Sequence, residues 1–113
     1  MLRTIAGVAL AAAFIASPAL AADGGQLFAM QCKMCHGGSP IGPNLTGVAG
    51  RKIASTDFAY SAALKGKDGT WTDANLDAFL KGPAAFAPGT KMFASVPSEE
   101  NRAALIGYLK TLK

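Results

Sequence analysis

All of the cysteine and histidine in this chain lies within five consecutive residues. The two cysteines and the single histidine form the sequence Cys32-Lys33-Met34-Cys35-His36. Two thiols at this spacing can each bond to a vinyl group along one edge of a porphyrin, and the following residue can offer an imidazole to the iron. The motif therefore predicts one covalent haem c, attached through Cys32 and Cys35, with His36 as an axial ligand.

Other interpretations of the cysteine pair fit less well. A disulfide across two intervening residues would be strained and would close too small a loop to add much stability. A structural zinc site needs four ligands, and Cys32, Cys35 and His36 supply three. A thioredoxin-type dithiol follows a strand in a βαβ unit, and no strand pattern precedes Cys32.

The first residues have the pattern of an export signal. Arg3 gives a short positive start, residues 5–15 are apolar and rich in alanine, and Ala19-Leu20-Ala21 is a small-x-small cleavage site. We predict a signal peptide over residues 1–21 and a single domain over residues 22–113, exported to the periplasm. The apolar run is short for a membrane span. We expect no stable membrane insertion after cleavage, and an uncleaved anchor is the alternative.

Charge and size restrict the partners and the core. The chain has a formal net charge of +4, but no cluster of basic residues interleaved with aromatics, which argues against nucleic acid. A mildly basic surface favours acidic protein partners. A domain this small has a limited core of its own, and a haem is a large apolar plate that would complete it.

Apolar spacing and capping residues predict an all-α fold with three main helices, one short helix and long loops wrapped around the haem. No sustained alternation of apolar and polar residues indicates a sheet. Asp23, Thr72 and Ser98 are suitable N-caps. The predicted helices cover about residues 23–35, 60–65, 72–81 and 99–112, and the remainder, including residues 83–97, is predicted to be loop.

The second axial ligand has one strong candidate. With a single histidine, bis-histidine ligation is impossible. Met30 and Met34 are tethered to the attachment side, whereas Met92 follows a Pro-Gly turn in a late loop that could direct its thioether inward. From the residues alone, Met92 as an iron ligand is favoured over Met92 as a gap-filling core residue, without excluding the latter.

Seven short motifs follow one another along the chain, and their order and spacing match a known protein family. They are Cys32-Lys33-Met34-Cys35-His36, Gly42-Pro43-Asn44-Leu45, Gly50-Arg51-Lys52, Phe58-Ala59-Tyr60-Ser61, Gly69-Thr70-Trp71, Pro88-Gly89-Thr90-Lys91-Met92 and Leu105-Ile106-Gly107-Tyr108-Leu109. With these motifs the chain resembles class I cytochrome c, the mitochondrial type and its soluble bacterial relatives. The resemblance implies the small cytochrome c fold and supports Met92 as the second ligand.

The resemblance also implies supporting roles around the haem. Pro43 would accept a hydrogen bond from His36, Arg51 would neutralise propionate charge, and Tyr60 and Trp71 would bond to a propionate. Thr90 matches the turn beside the methionine. Ordinary core or surface roles are the alternatives for Arg51, Tyr60 and Trp71.

Other positions match the family's helix crossing or depart from the family pattern. The crossing of the first and last helices would involve Gly24, Phe28, Tyr108 and Leu109. The segment between His36 and Gly42 is shorter than in the mitochondrial type, and Phe79 stands where the family often has a tyrosine.

These features predict a monomeric, soluble periplasmic electron carrier rather than an enzyme. A thioether ligand raises the reduction potential, and two filled axial positions leave one-electron transfer as the chemistry. The partners would be respiratory or photosynthetic redox complexes with acidic docking surfaces. Lysines near the haem edge would steer the encounter, and the candidates are Lys33, Lys52, Lys65, Lys67, Lys81 and Lys91. One alternative is a dedicated electron acceptor for a single periplasmic dehydrogenase. A haem peroxidase or gas sensor is the less favoured alternative.

Overall fold

The computed structural model describes residues 22–113, so the predicted signal peptide lies outside the described residues. No helix in the described part of the chain is both long and apolar enough to cross a membrane. The helices are α1 (Gly24–Gln31), α2 (Lys33–His36), α3 (Ala62–Lys65), α4 (Asp73–Lys81), α5 (Pro83–Phe86) and α6 (Glu99–Leu109). The predicted all-α class is confirmed.

Local capping explains where four of the helices begin. The side-chain oxygen of the capping residue accepts the backbone N–H three positions later, at distances of 3.1 to 3.2 Å. Each of these bonds satisfies a donor that the first turn leaves without a partner. The predicted caps at Asp23, Thr72 and Ser98 are confirmed, and Ser61 caps α3 in the same way.

The single helix predicted over residues 23–35 is wrong in one respect, because it is divided at Cys32. The φ angle of Cys32 is −116°, far from the helical value of about −63°. The backbone N–H of Cys32 still closes α1 on Phe28 O at 2.9 Å, and His36 N–H bonds to Cys32 O at 2.9 Å. The attachment motif is therefore a separate helical turn that follows α1.

Two other helix predictions need correction. Residues 83–86 were predicted to be loop, but Pro83 begins α5, since the missing N–H of proline costs nothing at the first helical position. The last helix ends at Leu109 rather than at residue 112. Beyond it, the carbonyl of Leu112 accepts the N–H of Gly47 at 2.6 Å, so the end of the chain is bonded to a loop.

Backbone pairing outside the helices brings two distant segments side by side. Trp71 N–H donates to Arg51 O at 2.8 Å, and Gly50 N–H donates to Trp71 O at 2.8 Å. A single isolated bridge, between Lys52 and Thr70, is the extent of β pairing in residues 22–113. This pairing sets Arg51 beside Trp71.

The buried core consists mainly of apolar side chains from α4, α6 and the loops that precede them. α1 packs across α6, where the rings of Phe28 and Tyr108 lie 5.1 Å apart. The buried apolar residues are Val48, Ile53, Leu64, Trp71, Leu76, Leu80, Ala87, Val96, Leu105, Ile106 and Leu109.

Gly24 allows the close crossing of α1 and α6. A Cβ at this position would overlap the carbonyl oxygen of Ala104 and would lie 2.9 Å from Tyr108 Cβ. We predict that Gly24→Ala lowers the free energy of unfolding by about 3 kcal/mol, the upper range for forcing atoms into a packed contact. Urea unfolding of the haem-loaded protein measures the loss.

Gly25 provides the matched control. A Cβ there would lie 3.4 Å from its nearest neighbours, which is ordinary contact. Gly25→Ala should therefore be neutral or stabilising by up to about 1 kcal/mol through helix propensity. Equal losses of stability in the two variants would contradict the close crossing.

Arg102 is a buried cation that sequence analysis missed. Its Nε donates to Asp77 Oδ1 at 2.7 Å, and its Nη1 donates to the carbonyls of Val96 and Pro97 at 3.0 and 2.9 Å. These bonds tie α6 to α4 and to the segment after Met92. Arg102 shares the buried stripe of α6 with Leu105, Ile106 and Leu109, and a charge on an apolar stripe is the signal that it needs partners.

Candidate haem-binding site

The described domain contains a largely apolar cavity of about 340 Å³ that is partly open to solvent. It is lined by side chains from the attachment motif, the loops that follow it, α4, the Met92 segment and α6. Every cofactor-binding residue predicted from the sequence lies on its wall: Cys32, Cys35, His36, Pro43, Arg51, Tyr60, Trp71, Thr90 and Met92. The structure thus brings together residues that are spread over sixty positions of sequence.

The imidazole of His36 is held in one orientation. Its Nδ1 lies 2.8 Å from the carbonyl oxygen of Pro43. A carbonyl oxygen can only accept, so Nδ1 carries a proton, and the lone pair of the neutral imidazole is then on Nε2. Gly42 makes this approach possible, because a Cβ there would lie 2.9 Å from the imidazole ring and 2.8 Å from Cys35 O.

The two cysteines are free thiols on the cavity wall. Burial raises the pKa of the Cys32 thiol, and the neighbouring Cys35 raises it further. Redox-active cysteines of the thioredoxin type need a lowered pKa, so this environment does not favour the dithiol interpretation. Residues 22–113 also contain no group of three or more histidine, cysteine or acidic side chains placed to hold a metal ion.

The methionines of the described domain divide into two kinds. Met92 is half-buried and lines the cavity. Met30 and Met34 are 76% and 84% exposed, and neither lines the cavity. The turn before Met92 is built on Gly89, whose φ of +91° suits glycine. Met92 is thus the one thioether on the cavity wall within residues 22–113.

Two polar atoms of the cavity wall lack the partner that burial normally requires. Among the described residues, Arg51 Nε and Thr90 Oγ1 are buried without a hydrogen bond. Arg51 uses only Nη1 locally, donating to Thr46 O at 3.1 Å. A buried donor without an acceptor is costly. An unpartnered cation and an unpartnered hydroxyl in a largely apolar cavity match a flat apolar cofactor with acidic edge groups, which is the chemistry of a haem and its propionates.

Aromatic side chains form a second part of the wall. Trp71 packs against Phe79 at 5.1 Å and against Phe86 at 5.7 Å between ring centroids. Trp71 is therefore both a core residue and a cavity residue. The hydroxyl of Tyr60 pairs with that of Thr56, and a phenol that bonds to one hydroxyl still has capacity for a second partner.

The six lysines proposed to steer partners are not equivalent. Lys91 alone among them lines the cavity, and its Nζ donates to the carbonyl of Ala59 at 2.8 Å. The Nζ of Lys67 lies 4.6 Å from the centroid of the Phe86 ring.

Two large apolar side chains, Ile41 and Phe93, are 67% and 94% exposed where they line the cavity. The edge of the cavity is thus more apolar than the sequence analysis anticipated.

Several contributors to the site escaped the sequence analysis. The close approach of Gly42 to His36, the pairing of Thr56 with Tyr60, and the bond from Lys91 to Ala59 all depend on tertiary geometry. A glycine directly before Pro43 was the available signal for the first of them.

Comparisons with known proteins agree with this geometry. A model of the family described as cytochrome c matches residues 21–113. The chain is 46% identical over 96 residues to cytochrome c of Tetrahymena pyriformis, covering 81% of this chain and 88% of that protein. It is 45% identical over 94 residues to the cytochrome c-type cyt cy of Rhodobacter capsulatus, covering 79% of this chain but 47% of that longer protein. Among solved structures, cytochrome cH from Methylobacterium extorquens matches with a TM-score of 0.73 and 38% identity, covering 80% of this chain and 97% of the other.

Proposed function

Because this chain belongs to the cytochrome c family, whose members bind one covalent haem c, we propose that it carries single electrons between redox proteins of the periplasm. The observation that carries the proposal is the apolar cavity whose wall holds Cys32, Cys35, His36 and Met92 together. The periplasmic location is supported by the export signal predicted over residues 1–21.

The attachment side of the site is built by four residues. Cys32 and Cys35 would hold the porphyrin through thioether bonds. His36 would offer Nε2 to the iron, because Nδ1 is occupied by its bond to Pro43 O at 2.8 Å. That bond fixes the ring and makes Nε2 a stronger donor. When bound, haem c supplies a one-electron exchange between ferric and ferrous iron.

The opposite ligand and the polar contacts come from later parts of the chain. Met92 would supply a thioether, which favours ferrous iron and raises the reduction potential. Arg51 Nε and the Thr90 hydroxyl would donate to the propionates, which gives both unpartnered buried atoms an acceptor. If His36 and Met92 both bind the iron, a substrate would have to displace one of them, and one-electron transfer is the function that such a site would support.

Partner docking would take place at the exposed edge of the cavity. Ile41 and Phe93 offer apolar contact area there. The lysines outside the cavity, such as Lys33 and Lys81, are exposed and would attract a partner with an acidic surface from a distance. Such an encounter is brief and weakens as salt screens the charges. We propose that the protein performs this role as a monomer.

The test is a spectroscopic and kinetic study of the purified haem protein. We expect one reversible one-electron transition, a ferric absorption band from an iron–sulfur bond, and almost no carbon monoxide binding to the ferrous protein at neutral pH. The rate of its oxidation by vesicles that contain a terminal oxidase should fall as ionic strength rises.

Two results would contradict this proposal in different ways. Rapid, stoichiometric carbon monoxide binding would indicate an open iron and would favour an enzyme or gas sensor. An oxidation rate that does not change with salt would contradict an acidic docking surface on the partner, while leaving the axial ligands untouched.

A further inference from the structure

A shallow groove, open to solvent, lies at the junction of α4 and α5. It is lined by Lys67, Ala78, Lys81, Gly82, Ala85 and Phe86. We refer to these six residues as the lysine groove. None of the six lines the haem cavity, so the lysine groove is a separate surface feature.

The ring of Phe86 gives the lysine groove a fixed apolar wall. Its centroid lies 5.7 Å from that of Trp71, with 26° between the two ring planes, and 5.8 Å from that of Phe79, which meets it edge-on. A half-buried ring that packs against two aromatic neighbours has little freedom to move. The apolar wall is therefore formed before any ligand arrives.

One of the two lysines is held in place by this ring. The Nζ of Lys67 lies 4.6 Å from the centroid of Phe86, which is a cation–π contact. The contact restrains the side chain but leaves the N–H groups of the ammonium available for an anion. A side chain that is already restrained loses less entropy on binding, so Lys67 is prepared to receive a negative charge.

The positive charge of the lysine groove is not compensated by a neighbouring acid. Within the described domain there are two ion pairs, and neither includes Lys67 or Lys81. Asp77 lies one turn before Lys81, but its Oδ1 accepts from Arg102 Nε at 2.7 Å. Asp68 is exposed and does not line the groove. Two ammonium groups beside an apolar wall are complementary to a carboxylate that is attached to an apolar group.

We propose that the lysine groove binds an acidic segment of a redox partner, with a carboxylate between Lys67 and Lys81 and an apolar side chain against Phe86. This inference rests on the proposed electron-carrier function. It adds a direct contact away from the edge of the haem cavity, where the first docking contact was proposed. A partner held at both places would be fixed in orientation, which attraction at a distance does not achieve.

The first experiment titrates the ferrous haem protein with the peptide acetyl-Glu-Glu-Leu-amide and follows the backbone amide signals by NMR. We expect saturable shifts at Lys81, Gly82 and Ala85, which line the groove. Lys67→Met and Lys81→Met should each weaken binding about three- to fivefold, the upper range for one exposed ion pair. Lys113→Met removes the same charge from an exposed lysine at the end of the chain and should leave the affinity unchanged.

The second experiment asks whether a whole partner uses the lysine groove. Vesicles that contain a terminal oxidase oxidise the ferrous protein, and the rate is measured at low ionic strength. We expect Lys81→Met to slow this oxidation about three- to fivefold, whereas Lys113→Met should leave the rate nearly unchanged. At high ionic strength the rates of the two variants and the parent should converge, because salt screens the charges.

The possible outcomes are distinct. Peptide shifts confined to the edge of the haem cavity, equal binding of acetyl-Gln-Gln-Leu-amide, or an equal loss of affinity in Lys81→Met and Lys113→Met would each overturn the carboxylate site. Weaker peptide binding in Lys81→Met with an unchanged oxidation rate would overturn the docking role. The peptide titration needs no electron transfer, so its failure would leave the carrier function standing, whereas rapid carbon monoxide binding would refute that function and not the peptide site.

Discussion

Replacing both Cys32 and Cys35 with alanine is expected to leave a colourless and largely unfolded protein. Beside its small buried core, the described domain surrounds an apolar cavity of about 340 Å³. Without the cofactor this apolar wall would face water, and each large apolar side chain left exposed rather than buried forgoes about 1.5–3 kcal/mol. A few such side chains amount to much of the stability of a small domain, about 5–15 kcal/mol. Binding of the cofactor and folding should therefore be coupled.

Far-UV circular dichroism and the haem absorption spectrum measure this result together. The single variants Cys32→Ala and Cys35→Ala keep one thioether and are the controls, and we expect them to be coloured and folded but less stable. A double variant with native helical content and a compact hydrodynamic radius would show that the domain forms its core without the haem.

Replacing Met92 with alanine is expected to lower the reduction potential and open the iron. The thioether stabilises the ferrous state, and axial ligands set haem potentials over a range of roughly 0.8 V. We expect a fall on the order of 0.1 V or more, loss of the ferric iron–sulfur band, and rapid carbon monoxide binding to the ferrous protein. A redox titration and a carbon monoxide titration measure these changes.

The exposed methionines are matched controls for this variant. Met30→Ala and Met34→Ala each remove a thioether near the attachment motif, but neither side chain lines the cavity. Both variants should keep the potential, the iron–sulfur band and the closed iron. A Met92→Ala protein that still shows the iron–sulfur band would mean that another sulfur ligates the iron.

The parts of the structure that depend on local chemistry could be predicted from the sequence. Asp23, Thr72 and Ser98 cap helices because an oxygen on a short side chain reaches an N–H three residues later, whatever the rest of the fold does. The attachment motif is equally local. Met92 was favoured because it follows a Pro-Gly turn, but the placement of Pro43, Arg51, Tyr60, Trp71 and Thr90 on the same wall was anticipated only through the resemblance to a family. Spacing along the chain does not specify which loops meet.

What the sequence did not reveal depends on contacts between distant segments. Arg102 is buried because Asp77 and two loop carbonyls surround it, and none of these partners is within four residues of it. The bond between Lys91 and Ala59 is similar. The helix α5 was missed for another reason, because Pro83 both ends one helical pattern and suits the start of the next.

The crossing of α1 over α6 also bears on the order of events during synthesis. A chain made from its amino end has α1 long before α6, and Gly24 has no surface to pack against until Ala104 and Tyr108 have emerged. Closing so long a loop is slow compared with forming a helix. Because folding is coupled to binding of the cofactor, the thiols of the attachment motif are expected to stay accessible even after α6 has been made, and the crossing closes only once the porphyrin is in place.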